Sequence, residues 1–202
     1  MRITKQQADG NKARIVETAA ALFREKGFDG ISVADLMRTA GLTHGGFYNH
    51  FESKGALEAA ACAQAFGNSV AGIAAVAGIA DPADRARALD AYKRRYVSKK
   101  ARDAIAARCP MVAFAGDVSR QSQHVREEYA SGLRQYLDAF ARASGGGEGK
   151  ARPQQSARRR SIAQFAALAG ALTLARSVAD ADPALSDEIL EAAVAALDPA
   201  AR

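Results

Sequence analysis

The segment from residue 15 to residue 57 is divided by helix-start and helix-end signals into pieces that are long enough only for small helices. Within each piece apolar side chains recur three and four positions apart, which is the spacing of an amphipathic helix and not of a strand. Glycine is typical just after a helix, and serine or threonine is typical just before one. The helix-end signals are Gly27 and Gly41, and the helix-start signals are Ser32, Thr43 and Ser53. We therefore expect three short helices and the start of a fourth.

The remainder of the chain also predicts helices. Alanine, the strongest helix former, is used very heavily, whereas aromatic residues make up only 6% of the chain. Ser186 is the expected N-cap of the last helix. The predicted helices span about residues 54–76, 83–97, 110–118, 121–143, 156–178 and 186–197, and residues 144–153 predict a flexible loop. We therefore expect an all-α fold with an N-terminal domain in residues 1–55 and an all-helical domain in residues 56–202.

The second and third predicted helices, joined by a short turn that contains glycine, have the arrangement of a helix-turn-helix. The motif spans about residues 31–51, and in DNA-binding proteins its second helix lies in the major groove. The same spacing also fits an ordinary helical bundle with tight turns, or an adaptor whose helix-turn-helix binds protein. We interpret residues 1–55 as a DNA-binding domain.

The third predicted helix has an outward face that folding alone does not explain. Phe47 and Phe51 are expected to point inward. Each glycine inside a helix costs about 1 kcal/mol relative to alanine, so two adjacent glycines suggest a backbone that approaches another molecule closely. Tyrosine, asparagine and histidine suit hydrogen bonds to phosphates and base edges, although a solvated polar face is the alternative. The outward residues are His44, Gly45, Gly46, Tyr48, Asn49 and His50.

Residues 15–57 closely resemble the DNA-binding domain of the TetR (tetracycline repressor-like) family of transcriptional regulators. The matching features are Ala19-x-x-Leu22-Phe23-x-x-x-Gly27-Phe28, Ser32-Val33-x-x-Leu36 with Asp35, Ala40-Gly41-Leu42-Thr43, and Phe47-Tyr48-Asn49-His50-Phe51-x-x-Lys54-x-x-Leu57. The resemblance implies a homodimeric repressor that binds double-stranded operator DNA and is released by a small-molecule effector. It implies major-groove contacts by Thr43, His44, Gly45, Gly46 and Asn49, and phosphate contacts by Tyr48, His50 and Lys54.

The last two predicted helices resemble those with which TetR-family subunits pair. The matching residues are Gly170-Ala171-Leu172-x-Leu174-Ala175-Arg176 and Leu185-Ser186-Asp187. A helix without charge from residue 162 to residue 175 must be covered on every side, by a second subunit or by the core of its own chain. We expect a homodimer whose interface includes Leu168, Leu172, Ile189 and Val194.

The identity of the effector cannot be read from the residues, but a region for it can be named. An apolar pocket is expected among the helices from about residue 84 to residue 178, and the helix of residues 54–76 is the expected lever between this pocket and the DNA. Cys109 precedes Pro110 at a predicted helix start, so an alternative regulator would sense oxidants or electrophiles through its thiolate. A buried structural thiol is the plainer reading of Cys109, and Cys62 is expected only to pack. The candidate ligand-binding residues are Tyr92, Tyr96, Cys109, Phe114, His124 and Tyr129.

Several other classes of function find no support in the sequence. The residues offer no catalytic constellation, phosphate-binding loop, metal site or cofactor motif, so we expect no enzyme. The net charge of +6 is a poor argument for nucleic acid, because residues 1–58 hold eight basic against seven acidic residues. Charged residues interrupt the N-terminus, so no signal peptide is expected and the expected location is cytoplasmic. Residues 59–80 are uncharged, but their alanines and glycines predict a buried helix and no membrane partner.

Overall fold

The computed structural model of the chain describes residues 4–104, 109–145 and 151–197, and the side chains of residues 151–154 fall outside this description. Over these ranges the chain forms nine α-helices and two short 3-10 helices and contains no strand. The predicted all-α fold is therefore confirmed. The elements are α1 (Lys5–Lys26), α2 (Val33–Thr39), a 3-10 helix (His44–Asn49), α3 (Lys54–Ala77), α4 (Pro82–Tyr96), α5 (Lys99–Asp103), α6 (Pro110–Ala115), a second 3-10 helix (Val118–Arg120), α7 (Gln123–Ala143), α8 (Ala151–Val178) and α9 (Pro183–Ala195).

The helix signals of the N-terminal segment work as the sequence predicts, with one exception. Gly27 follows α1 with φ 75° and Gly41 follows α2 with φ 70°, a backbone conformation that is costly for other residues. The Ser32 Oγ accepts a hydrogen bond from the Asp35 N–H at 3.1 Å, and the Ser53 Oγ accepts one from the Ala56 N–H at 3.1 Å. Thr43 has the extended backbone of a cap residue, but its side chain makes no capping hydrogen bond.

The predicted boundaries of two helices are wrong, and one helix was not predicted. α8 begins at Ala151 and not at residue 156, so part of the predicted loop is helical. Pro153 is tolerated there because the first turn of a helix needs no N–H partner. The predicted loop also includes residues 146–150, which lie outside the described residues. The helix predicted to end at residue 118 ends at Ala115, and the short helix α5 was not predicted.

The start of α9 corrects the role of Ser186. Asp182 caps this helix, since its carboxylate accepts a hydrogen bond from the Leu185 N–H at 3.0 Å. Ser186 lies one turn inside the helix and is buried. Its hydroxyl donates to the Ala175 carbonyl at 2.8 Å, which joins α9 to α8. A serine that looks like a cap in sequence therefore serves as a contact between two helices.

The chain divides into two compact units, each made of two segments. Unit 1 consists of Met1–Asn68 and Ala106–Leu133, and unit 2 of Ser69–Ile105 and Arg134–Arg202. The sequence predicts a boundary at residue 55 between a DNA-binding domain and an effector-binding domain, and this boundary stays a prediction. Unit 1 extends beyond residue 55, because α6 and the first half of α7 pack with the N-terminal helices.

Each unit has its own aromatic core. In unit 1 the rings of Phe23 and Phe28 are 5.4 Å apart, and those of Phe28 and Phe114 are 4.8 Å apart. In unit 2 the ring of Phe165 lies 4.7 Å from that of Tyr136 and 5.7 Å from that of Phe140. The Phe28–Phe114 contact joins the turn after α1 to α6, and the Phe165 contacts join α8 to α7, so residues distant in sequence fix the packing within each unit.

Two helices are long and apolar enough to cross a membrane by length and composition alone. They are Lys54–Ala77 and the part of α8 from Gln155 to Val178. Core helices of soluble proteins satisfy the same two criteria, so this finding by itself carries little weight.

Candidate nucleic-acid interface

The 3-10 helix His44–Asn49 exposes the face that the sequence predicts. Tyr48 is 66% exposed and is one of the few large apolar side chains on the surface of the described residues. Phe47 and Phe51 are buried, which confirms their predicted inward direction. The other outward residues are exposed, namely Thr43, His44, Gly45 and Asn49, or half-buried, namely Gly46 and His50.

Phe47 anchors this helix to unit 1. Its ring stacks on that of Phe51 with centroids 5.8 Å apart, and the Tyr48 ring meets it edge-on at 5.2 Å. The ring of His44 meets the ring of Tyr48 edge-on at 6.3 Å. On the far side, the Lys12 ammonium lies 5.4 Å from the centre of the Phe51 ring. The exposed side chains therefore stand on a rigid aromatic base, as a recognition surface requires.

Internal packing does not explain the two glycines of this helix. A Cβ placed on Gly45 would meet no atom of the chain within 4 Å. A Cβ placed on Gly46 would meet the Thr43 Oγ1 at 3.5 Å and the Met37 Cε at 3.8 Å, which are ordinary contact distances. Neither glycine has a positive φ angle. Alanine would therefore fit at both positions, so no contact among the described residues requires glycine there.

Lys54 has contacts that its expected role does not anticipate. The sequence assigned it to a DNA phosphate, but its Nζ donates a hydrogen bond to the Phe28 carbonyl at 2.6 Å. The same Nζ lies 3.4 Å from Glu58 Oε1 and 5.9 Å from the centre of the Phe23 ring. Burial raises the pKa of Glu58, and the positive charge of Lys54 opposes this rise. In this structure the Lys54 ammonium is directed into unit 1.

The six candidate ligand-binding residues fall into two groups. Tyr92 and Tyr96 belong to unit 2, where the Tyr92 and Tyr136 hydroxyls are 2.9 Å apart and the Tyr96 ring lies 5.6 Å from that of Phe165. The other four belong to unit 1. Phe114 is fully buried, the Tyr129 hydroxyl donates to the Met111 carbonyl at 3.0 Å, and His124 is exposed. The last member, Cys109, is half-buried.

A large groove of unit 2 lies elsewhere on that unit. It encloses about 1310 Å³ between α4, α8 and α9. Its walls include Leu89, Leu168, Leu174 and Ile189, with Arg85 and Arg160 among the charged residues, and none of the six candidates lines it. The volume is sufficient for a drug-sized molecule.

The two thiols differ in their surroundings. Burial raises the pKa of Cys62 to about 12, so this thiol stays protonated. The Cys109 Sγ lies 3.9 Å from the Met111 Sδ, directly before α6. An electrostatic interaction with Cys109 partly offsets the lowering of the Arg24 pKa by burial. The prediction that Cys62 only packs agrees with its burial. Among the described residues, no group of three or more His, Cys, Asp and Glu side chains is arranged to hold a metal ion.

The predicted dimer interface needs a correction in its residues. Leu172 is 1% exposed and Leu168 is also buried, so both belong to the core of their own protomer. Ile189 and Val194 are half-buried. The exposed large apolar residues of α8 are Leu174, at 59%, and Ile162, at 37%. In α9, Leu185 is exposed.

Comparison with known proteins agrees with the motif and with the fold. Residues 15–61 match the family of bacterial regulatory proteins, tetR family. The uncharacterized HTH-type transcriptional regulator YerO of Bacillus subtilis is 39% identical over 59 residues, which are 29% of this chain and 20% of that protein. The HTH-type transcriptional regulator TtgR of Pseudomonas putida is 37% identical over 57 residues, which are 28% of this chain and 27% of that protein. The matched segment thus spans about a quarter of the length of these relatives.

Solved structures are similar over nearly the whole chain. A TetR transcriptional regulator from Chloroflexus aurantiacus is similar with a TM-score of 0.72 at 28% identity, over 95% of this chain and 94% of that one. The reduced form of NemR from E. coli has a TM-score of 0.73 at 23% identity, over 94% of this chain and 95% of that one. The N-terminal segment thus matches the tetR family of bacterial regulatory proteins, and the fold of the described residues is similar to that of a TetR transcriptional regulator of known structure.

Proposed function

We propose that this protein is a homodimeric transcriptional repressor that binds operator DNA and is released from it by a small-molecule effector. The observation that carries the proposal is the exposed face of the 3-10 helix His44–Asn49, with two glycines that no internal contact requires. Base edges of the major groove would meet Thr43, His44, Gly45, Gly46 and Asn49, and phosphates would meet Tyr48 and His50. Such a protein acts in the cytoplasm and needs neither a catalytic group nor a cofactor.

A homodimer through α8 and α9 is supported by the apolar surface of these helices. Leu174, Ile162 and Leu185 are exposed, although large apolar side chains normally lie inside. A second copy that packs its own α8 and α9 on this surface would remove them from water. Two identical reading helices then suit a near-palindromic operator, with half-sites about 34–36 Å apart or at a multiple of that distance.

An effector site in unit 2 is supported by the groove between α4, α8 and α9, whose wall at Leu174 would also meet the second copy of the proposed dimer. Its apolar walls and its volume of about 1310 Å³ fit an organic molecule better than an ion. Release requires that the effector bind the DNA-free arrangement more tightly than the DNA-bound one, and a coupling of about 1–3 kcal/mol is typical. The helix α3 remains the proposed lever, and the six predicted ligand-binding residues stay predictions.

The test is binding of the full-length dimer to the DNA upstream of its own gene. A labelled duplex of that region is titrated with protein and followed by fluorescence anisotropy, with a scrambled duplex of equal length as control. We expect specific affinity about 10³-fold or more above that for the scrambled duplex. Equal affinity for both duplexes would contradict a sequence-specific repressor, and no binding to either would favour an adaptor that binds protein.

A second candidate is a regulator that senses oxidants or electrophiles through Cys109. The half-buried thiol of Cys109 interacts electrostatically with Arg24, and a nearby cation favours the reactive thiolate. A structural neighbour, NemR of E. coli, was solved in a form described as reduced. In the test, peroxide or a quinone is added to the operator complex of the wild type and of Cys109→Ser. Release of the wild type alone would support the thiol, whereas equal release of both, or of neither, would remove it from the mechanism.

A further inference from the structure

The α8 wall of the groove between α4, α8 and α9 changes from polar to apolar along the helix. Its polar residues come first in the chain and are Arg160, Ser161 and Gln164. The residues that follow on the same wall are small or aliphatic, namely Ala167, Leu168, Gly170, Ala171 and Leu174. A helix rises about 1.5 Å per residue, so Arg160 and Leu174 are separated by about 21 Å along the axis. The groove is therefore long, with a charge near one end of its α8 wall and none near the other.

The positive charges of this groove are not neutralised by its own wall. Asp90 is the acidic residue among the described wall residues, and its carboxylate accepts a hydrogen bond from the Arg94 Nε at 2.8 Å. Arg85 donates to the Ile79 carbonyl at 2.9 Å, and Arg160 approaches the Ser156 hydroxyl at 3.5 Å. Neither arginine forms an ion pair with another described residue. The wall thus offers two guanidinium groups and, in its described part, no unpaired carboxylate.

The apolar part of the wall has room for a ligand. Gly170 lines the groove, and a Cβ placed on it would meet no atom of the chain within 4 Å. Ala167 and Ala171 flank it with methyl groups only. On the α9 side the wall is made of apolar residues, from Ile189 to Leu197. An apolar body could lie against the backbone of α8 here without displacing a polar group.

We propose that the effector is an amphipathic organic anion, with a carboxylate or phosphate head and a long apolar body, and that it binds in this groove. This inference rests on the proposed function and names the chemical class of its effector. The head pairs with the guanidinium of Arg160, which can donate two parallel hydrogen bonds to such a group. Arg85 adds a second positive charge to the groove. The body lies along α8 toward Leu174, where the burial of apolar surface stabilises the complex.

Ligands of other charge or shape do not fit the same wall. An amphipathic cation would lie beside the positive charges of Arg85 and Arg160, and the Asp90 carboxylate is already held by Arg94. Burying a charge without a partner is unfavourable. A small inorganic anion would meet the guanidinium groups but would leave the apolar wall uncovered. Head and body are therefore both required.

The first experiment compares head groups on one apolar chain. Dodecanoate, dodecyl phosphate and dodecyltrimethylammonium are titrated into the full-length protein without DNA, below their critical micelle concentrations, and binding is measured by calorimetry. We expect the tighter of the two anions to bind about tenfold or more tightly than the cation, which also identifies the head group. Acetate and inorganic phosphate, which are heads without a body, should not bind. Equal binding of the three long probes would overturn the proposal, because apolar contact alone would then explain it.

The second experiment places the anion in the groove. Arg85→Met and Arg160→Met each remove one guanidinium, and Arg159→Met removes an exposed arginine of α8 that does not line the groove. Circular dichroism checks that each variant is folded. We expect about tenfold weaker anion binding for each groove variant, as for the loss of a charged hydrogen bond, and wild-type binding for Arg159→Met. Groove variants that bind like this control would place the anion elsewhere and overturn the proposal.

Reversing the charge tests the same assignment in the opposite direction. The double variant Arg85→Glu, Arg160→Glu should bind dodecyltrimethylammonium more tightly than dodecanoate, because specificity follows the sign of the charge in the groove. A folded double variant that still prefers the anion would contradict the roles of both arginines. If the double variant does not fold, the single methionine variants decide.

A second copy of the chain is the competing occupant of this groove, since Leu174 also belongs to the proposed dimer surface. Leu174→Asp, the expected monomer, distinguishes the two occupants. Probe binding by the wild-type dimer supports the proposal, whereas binding by the monomer alone would mean that the second copy fills the groove and would overturn it.

The last measurement separates the ligand site from the proposed function. The tighter anionic probe is added to the wild type on the DNA upstream of its own gene, and we expect about fivefold or greater loss of affinity for this DNA. Probe binding without any such loss would overturn the effector role. Failure of the protein to bind this DNA before the probe is added would refute the proposed function and the effector role with it. The calorimetry, which contains no DNA, tests the anion site independently of that result.

Discussion

The 3-10 helix of unit 1 and the α8–α9 surface of unit 2 both expose side chains that the rest of the protomer does not cover. The exposed groups are mainly polar on the first surface and aliphatic on the second. The first presents Tyr48, Asn49 and neighbouring glycines on a buried aromatic base. The second presents the aliphatic side chains of Leu174 and Ile162, which lie in the part of α8 without charged residues, 162–175. Polar groups beside accessible backbone suit a hydrated, hydrogen-bonding partner such as DNA, whereas aliphatic groups suit an apolar protein surface. The two proposed interfaces therefore suit two different partners.

The largest expected effect is the difference between substituting a buried leucine and an exposed leucine of α8. Leu172→Asp places a charge in the core of unit 2 and should cost several kcal/mol, enough to unfold that unit. Leu174→Asp changes an exposed side chain only two positions away and should give a folded monomer with weak operator binding. Circular dichroism and light scattering measure the two results. A folded Leu172→Asp protein, or a dimeric Leu174→Asp protein, would break the comparison.

The next effect concerns the polar surface. Asn49→Ala should change the preference among operator bases by about 1–3 kcal/mol, because an asparagine that reads a base edge is lost. The side chain is exposed, so the melting temperature should stay the same. Anisotropy titrations against operators with single base-pair substitutions provide the measurement. A uniform loss on all operators would mean that Asn49 contacts the backbone and not the bases.

A smaller effect is expected from filling the empty space beside Gly45. Gly45→Ala should stabilise the free protein by up to about 1 kcal/mol, since alanine is the better helix former and nothing in the chain obstructs it. Operator binding should nevertheless weaken, because the methyl group would stand where DNA approaches. Gly67→Ala, at an exposed and equally open position of α3, is the matched control and should leave operator binding unchanged. If both variants bind alike, Gly45 does not face the DNA.

The smallest effect is a difference in pH dependence between the two units. Burial raises the pKa of Glu58, so the native state binds more protons there and the free energy of unfolding falls as pH rises through that pKa. Hydrogen bonds from Lys99 and Arg102 lower the pKa of Asp187, so its contribution is lost as pH falls through the lowered value. Melting temperatures of Glu58→Gln and Asp187→Asn relative to wild type, between about pH 3 and pH 7, should therefore shift in opposite directions on acidification. Parallel curves would contradict these assignments.

The sequence by itself determined the short helices between residues 27 and 57 and the direction of Phe47 and Phe51. Those features depend on interactions within one or two turns, such as the Ser32 cap and the positive φ of Gly41. A motif spread over three helices was also sufficient to predict the family whose model matches residues 15–61. Local signals are readable because both partners lie a few residues apart in the chain.

Only the tertiary structure decided which face of α8 is buried, where Lys54 points and with which unit α6 packs. An alanine-rich helix without charge offers no pattern that distinguishes Leu172 from Leu174, so the distinction depends on the helices that cover it. Lys54 has the sequence position of a phosphate ligand, but a carbonyl 26 residues earlier in the chain is its hydrogen-bond acceptor. Ser186 has the sequence position of a helix cap, but in the folded chain its hydroxyl donates to the Ala175 carbonyl of α8. In each case the deciding partner is distant in sequence, and only folding brings it into contact.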